Sequence, residues 1–137
     1  MSVTIYHNPK CSTSRNTLAL VRHLGEEPTV IEYLHEVPDP ATLKDLVARA
    51  GLQVRDVLRR KEAVYSELGL DDPSLSDDEL LAAVQLHPIL LERPVLVTER
   101  GVRWCRPIET ALEILPPMSE PFCKENGDRL VADVKGN

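Results

Sequence analysis

Within the first 34 residues the chain reads as a strand, a break, a helix and a second strand, and this order restricts the fold more than any other stretch. Val3 to His7 alternates in the manner of a strand, and Pro9 blocks simple continuation as helix or ladder. After a short loop, Ser12 or Thr13 is placed to cap a helix that carries Leu18, Val21 and Leu24 at helical spacing and is closed by Gly25. Thr29 to Leu34, β-branched and apolar, predicts a second strand. Two strands joined through a helix run parallel, and such βαβ crossovers are right-handed.

From Pro40 to Leu86 the pattern predicts helices throughout: Ala41 to Ala50 ended by Gly51, Val54 to Arg60, Ala63 to Leu68 ended by Gly69, and Asp77 to Leu86 preceded by Ser76. Ser76-Asp77-Asp78-Glu79 has the S-x-x-E form of a capping box. After Pro88, Pro94 to Thr98 predicts a strand, Glu99-Arg100-Gly101 a tight turn, and Val102 to Cys105 the hairpin partner. Pro107 suits the first turn of a helix through Leu115, which Pro116-Pro117 ends, and a polar tail with an Asn126-Gly127 turn follows. The order β, α, β, helical block, β, β, α predicts an α/β, thioredoxin-like fold: a mixed four-stranded sheet with flanking helices and a helical insertion before the third strand. A flavodoxin-like sheet would need more βα repeats than the chain supplies.

At 137 residues and 42% hydrophobic content the chain can bury one good core. The expectation is a single domain over 1–137, with the helical insert at about 40–87 and the less defined tail at about 117–137. A formal charge of -6 argues against a nucleic-acid partner, because phosphate contacts need a surplus of Lys and Arg. Any anion site must then be a local cluster of positive residues. No apolar run approaches the about 20 residues needed to span a bilayer, and the N-terminus lacks the basic and apolar regions of a signal peptide. No membrane partner and a cytoplasmic location are therefore expected. Cys11, Cys105 and Cys123 form neither a C-x-x-C pair nor a zinc-type cluster, and His7, His23, His35 and His87 offer no H-x-x-x-H pair, so no metal site is expected. An odd cysteine count fits free thiols better than a disulfide framework.

Chemistry concentrates at Cys11, where the first strand has ended and the first helix begins. A thiol there meets unpaired backbone N–H groups and the positive end of a helix dipole, both of which favour the thiolate. The dipole contributes at most about 2 kcal/mol, against roughly 1.4 kcal/mol for one pKa unit. Strong activation therefore needs further positive groups, for which His7, Lys10 and Arg15 are the near-sequence candidates. Cys11-Ser12-Thr13-Ser14 begins where a C-x-x-C redox pair would sit, but Ser14 excludes an internal disulfide, so a redox cycle needs another thiol. A phosphatase-type C-x-x-x-x-x-R loop would need Arg where Thr17 stands. Arg59, Arg93 and Arg106 all lie at element edges, and guanidinium forks suit tetrahedral oxyanions because they bind two oxygens at once and stay charged. In a thioredoxin-like fold the residue before the third strand faces the active cysteine across a cis-proline, which would bring Arg93 to the thiol and let Pro94 shape the site. Cys105, at the end of an apolar strand, reads as a packing residue, and Cys123 lies in the tail.

Several stretches, Tyr6-His7-Asn8-Pro9 to Cys11 with Ser14-Arg15-Asn16-Thr17, Val54-Arg55 to Leu58-Arg59, Gln85-Leu86-His87-Pro88-Ile89-Leu90 to Arg93-Pro94, and Cys105-Arg106-Pro107, resemble the glutaredoxin-coupled arsenate reductases of bacterial resistance operons. The likeness runs over roughly residues 3 to 115 in one order and spacing. It implies an oxidoreductase of arsenic detoxification, with arsenate as substrate, Cys11 as nucleophile, and Arg59, Arg93 and Arg106 as oxyanion ligands and transition-state stabilisers. It implies further that His7 and Ser14 help to hold the Cys11 thiolate. The thiolate would attack arsenic with loss of water or hydroxide and form a covalent adduct. Glutathione, as co-substrate, would attack next, and glutaredoxin would complete the reduction so that arsenite is released; no bound cofactor is implied. Lys10 stands where related sequences often carry a small residue.

Two other readings share the fold. A relative that reduces protein or glutathione disulfides would not need Arg59 or Arg93. A transcriptional adaptor that binds RNA polymerase and senses redox state through a C-x-x-C pair would lack its second cysteine here, because Ser14 occupies that position.

Overall fold

The computed structural model describes residues 1–130, and the chain divides into two compact units. The first comprises Met1–Ile31 and the chain from Arg93 onward; the second is Glu32–Glu92.

In the first unit, β1 (Thr4–His7), α1 (Ser12–His23) and β2 (Thr29–Glu32, whose last residue opens the second unit) realise the expected opening. The chain returns as β3 (Val95–Thr98) and β4 (Gly101–Trp104), giving a four-stranded sheet in the order β2-β1-β3-β4. β3 runs antiparallel to β1, with Thr4 opposite Val97 and Tyr6 opposite Val95, and antiparallel to β4, with Val95 opposite Trp104. This is the thioredoxin-like arrangement. Ile5 faces Leu96 across the central pair, and both are fully buried in a core that includes Leu20, Val21 and Ile114.

Two details of α1 differ from the expectation. Its N-cap is Cys11, in extended conformation, rather than Ser12 or Thr13, and the first helical hydrogen bond runs from the Arg15 N–H to the Cys11 carbonyl at 3.0 Å. Its buried residues are Ser14, Thr17, Leu20 and Val21, while Leu18 and Leu24 are only half-buried. The first turn can turn hydroxyls inward because they are bonded there: Thr17 Oγ1 donates to the Thr13 carbonyl at 2.8 Å. The closing glycine is as expected, and Gly25 at φ 87° is needed for its conformation, since a Cβ there would meet nothing within 4 Å.

The second unit is helical. α2 (Pro40–Arg49) starts with Asp39 accepting from the Thr42 N–H at 2.7 Å, and α4 (Asp77–Leu86) carries the expected capping box: Ser76 Oγ accepts from the Glu79 N–H while Glu79 accepts from the Ser76 N–H. Between them lies α3 (Ala63–Glu67). Leu43, Leu46, Val57, Leu80, Leu81, Val84 and Leu90 are buried. The helix expected over Val54 to Arg60 is instead one 3-10 turn, Val54–Val57. Leu58 turns extended and bridges to Leu91, with the Arg59 N–H on the Leu90 carbonyl at 2.7 Å and the Glu92 N–H on the Val57 carbonyl at 2.8 Å. A strand-like partner thus takes the backbone groups that another helical turn would need. Arg59 consequently lies beyond the helix rather than at its end.

The C-terminal part holds two further departures. The helix expected from Pro107 is a 3-10 helix, Ile108–Ile114, and both Arg93–Pro94 and Arg106–Pro107 are cis peptides, where only the first was expected. The polar tail contains a two-stranded hairpin, β5 (Phe122–Cys123) and β6 (Arg129–Leu130), around the expected Asn126-Gly127 turn. Strands of two residues are too short to show a period, but Phe122 and Leu130 anchor them in the first unit's core. The remainder of the tail lies outside the described residues. Among the described residues, no helix is long and apolar enough to cross a membrane.

Candidate active site

The loop between β1 and α1 is shaped by Asn8. Its carbonyl accepts from the Cys11 N–H at 3.0 Å, closing a turn, and its side-chain oxygen accepts from the Lys10 N–H at 3.0 Å. Asn8 is 2% exposed, and its own N–H donates to Ser14 Oγ at 3.0 Å, so the loop is tied to the helix it precedes. Ser14 Oγ also shares a hydrogen bond of 2.6 Å with His7 Nδ1 at the end of β1. Sequence reasoning missed the organising role of Asn8; the signal available was an Asx residue at the start of a turn, followed by proline.

This loop delivers Cys11 to the N-cap position of α1. An N-cap side chain meets the N–H groups of the second and third helical residues, here Thr13 and Ser14, where Ser or Asp usually supplies the acceptor. A thiolate can fill that role. Burial pushes the Cys11 thiol up, but the Ser14 N–H, the hydrogen bond and charge of the Arg93 guanidinium, and the Thr13 N–H together outweigh it, and its pKa lies below the ordinary thiol value. Ser14 therefore favours the thiolate through its backbone N–H, while its hydroxyl links His7 and Asn8.

Two of the three expected arginines converge on this sulfur. Arg93, just before β3, is 9% exposed, and its Nε and Nη1 have no hydrogen-bond partner. Arg106, just after β4, points Nη1 to Cys11 Sγ at 3.8 Å and to the Arg93 carbonyl at 3.4 Å. Pro94 stands between them in the fold: its cis peptide follows Arg93, and its carbonyl accepts from the Cys105 N–H at 3.0 Å, next to Arg106. The β3–β4 hairpin therefore sets both guanidinium groups by its register. A buried guanidinium with N–H groups unmatched is a costly arrangement that a bound oxyanion would relieve.

Arg59 belongs to the second unit, where its Nε contacts Glu62 and its Nη1 contacts Glu92, each at 3.0 Å. Arg15 reaches the site's loop by another route: its Nη1 donates to the Pro9 carbonyl at 2.8 Å, and its other nitrogens bind both oxygens of Glu125 at 2.7 and 2.9 Å. Cys105 is fully buried in the core, and burial pushes its thiol up to about 12, which leaves it protonated and inert as a nucleophile. Cys123 is exposed on β5.

A thiol of lowered pKa beside two arginines, without a second cysteine in its motif, is an arrangement suited to nucleophilic attack on an oxyanion. The arsenate reductase of Rhizobium meliloti is 54% identical over 132 residues, covering 96% of this chain and 94% of that protein. That of Escherichia coli K12 is 47% identical over 134 residues, covering 97% and 95%. Among solved structures, the arsenate reductase from Vibrio cholerae superposes with a TM-score of 0.81 at 52% identity, covering 84% of this chain and 98% of that one. The model of the ArsC family matches residues 6–114, a span that starts in the strand ahead of Cys11 and ends beyond Arg106. With Cys11, Arg93 and Arg106 all inside that match, the chain belongs to the ArsC family.

Proposed function

We propose that this protein reduces arsenate to arsenite through a covalent bond between Cys11 and arsenic, with glutathione and glutaredoxin as the source of electrons. The observation that carries the reading is the placing of Cys11 beside Arg106, at 3.8 Å from its Sγ, and beside Arg93, which keeps buried N–H groups without partners; the lowered pKa of the thiol agrees with it. The curated relatives named arsenate reductase support the same substrate.

The steps follow from the groups. Cys11 thiolate attacks arsenic; a sulfur–arsenic bond forms, an arsenic–oxygen bond breaks, and one arsenate hydroxyl leaves as water with the proton of another, while Arg93 and Arg106 offset the charge on the remaining oxygens. His7 and Ser14 hold the loop that presents the sulfur. Glutathione then condenses with the adduct, displacing a second oxygen as water, and arsenic is still pentavalent. A glutaredoxin thiol takes the glutathione sulfur; a disulfide forms, the electron pair of the glutathione–arsenic bond stays on arsenic, and arsenic becomes trivalent. Water releases arsenite and restores Cys11. The role expected of Arg59 as a further oxyanion ligand is part of this proposal. So is a cytoplasmic site of action, where glutathione is reduced.

Cys11→Ser should abolish arsenate reduction, measured as arsenate-dependent NADPH oxidation with glutathione, glutaredoxin and glutathione reductase present, while Cys105→Ser and Cys123→Ser retain most of it. Full activity in the Cys11 variant would eliminate the proposal. The same assay with a glutathionylated peptide in place of arsenate separates a general disulfide reductase: there, Arg59→Ala and Arg93→Ala would spare the main activity.

A further inference from the structure

Beside Cys11 lies a polar groove of about 290 Å³. One side is the first turn of α1, at Ser12 and Thr13; another is the segment Arg106 to Glu109 after β4; the third is the β5–β6 hairpin, through Lys124 and Asn126. The hairpin wall is pinned to α1 twice, by the bidentate Arg15–Glu125 pair and by the Glu125 N–H on Asn16 Oδ1 at 2.9 Å. One end of the groove is the reaction centre itself, because Arg106 both lines it and reaches Cys11 Sγ.

The lining specifies an occupant. It offers two cations, Arg106 and Lys124, one carboxylate, Glu109, and hydroxyl and amide groups, with more polar than apolar surface. Its volume is near the lower bound, about 300 Å³, for small-molecule sites. The complementary ligand is a small, hydrophilic peptide carrying carboxylates in excess over a single ammonium, with its reactive atom at the Cys11 end. Resting on the arsenate-reductase reading, we propose that this groove is the binding site of the second substrate, glutathione, and that Lys124 and Glu109 are its specificity residues: Lys124 meets a carboxylate and Glu109 the ammonium of the γ-glutamyl group. The ligand's thiol then faces arsenic on Cys11. On attack a sulfur–arsenic bond forms, an arsenic–oxygen bond breaks, and the oxygen departs as water with the thiol proton and the proton of the arsenic hydroxyl.

The test uses the full chain and S-methylglutathione, which cannot react. In titrations followed by amide resonances, saturable shifts should appear at Ser12, Thr13 and Asn126, and Lys124→Glu should weaken binding at least about fivefold, the equivalent of one exposed ion pair. Glu109→Gln should weaken S-methylglutathione but not S-methylcysteinylglycine, which lacks the γ-glutamyl group. In turnover, both variants should raise the KM for glutathione and leave the KM for arsenate unchanged. An unchanged glutathione KM in both variants, an altered arsenate KM, or shifts confined to another surface would overturn the assignment. Failure of the parent reading looks different: saturable binding in the groove by a protein that does not reduce arsenate refutes the arsenate activity and not the groove.

Discussion

At the scale of single residues, Arg93 and Cys11 depend on each other. The guanidinium donates a hydrogen bond and a charge to the sulfur, so Arg93→Ala should move the midpoint of Cys11 alkylation to higher pH. It should also lower kcat/KM for arsenate by about 10²–10³-fold, as removal of one oxyanion donor does. The folded-state pKa of Cys11 lies below its unfolded value, so the thiolate contributes stability that is fully present above the unfolded pKa and is lost as pH falls through the folded one. Cys11→Ser should accordingly lose more stability in alkaline than in neutral solution, as urea unfolding at several pH values would show. The unmatched N–H groups of Arg93 add a test without turnover. Arsenate or sulfate at about 100 times its Kd should stabilise the protein by about 2.7 kcal/mol, and Arg93→Ala should remove most of that gain.

At the scale of elements, local chemistry explains where the segments start and stop. The α4 capping box satisfies backbone donors at both Ser76 and Glu79, and Ser76→Ala should cost about 1 kcal/mol in urea unfolding with unchanged arsenate kinetics. Elements whose cues lie within a few residues were legible: β1, α1, α2, α4 and the β3–β4 hairpin all stand close to where caps, glycines and prolines predicted them. The failures share a cause. Leu58 leaves the helical path because Leu91 offers it a strand-like partner, and β5 and β6 exist because Phe122 and Leu130 find the core. Both decisions are made by contacts distant in sequence, against which intrinsic helix propensity is a weak prior.

For the whole molecule, the central β1–β3 pair joins stability to function. Leu96 is fully buried on β3 opposite Ile5, and Leu96→Ala should cost about 2–5 kcal/mol. The same strand follows directly on Arg93, so a shift in its pairing would displace the guanidinium along with the core. The amino-acid sequence alone determined the βαβ opening, the capped helices, the thiol at the start of α1, and the exclusion of an internal disulfide by Ser14, because propensity, capping and motif chemistry act over a few residues. Only the tertiary structure decided that Arg106, 95 positions from Cys11, meets its sulfur. Tertiary contacts alone also gave the tail the hairpin that walls the adjoining groove. Such meetings depend on strand register and core packing, which no local stretch of residues encodes.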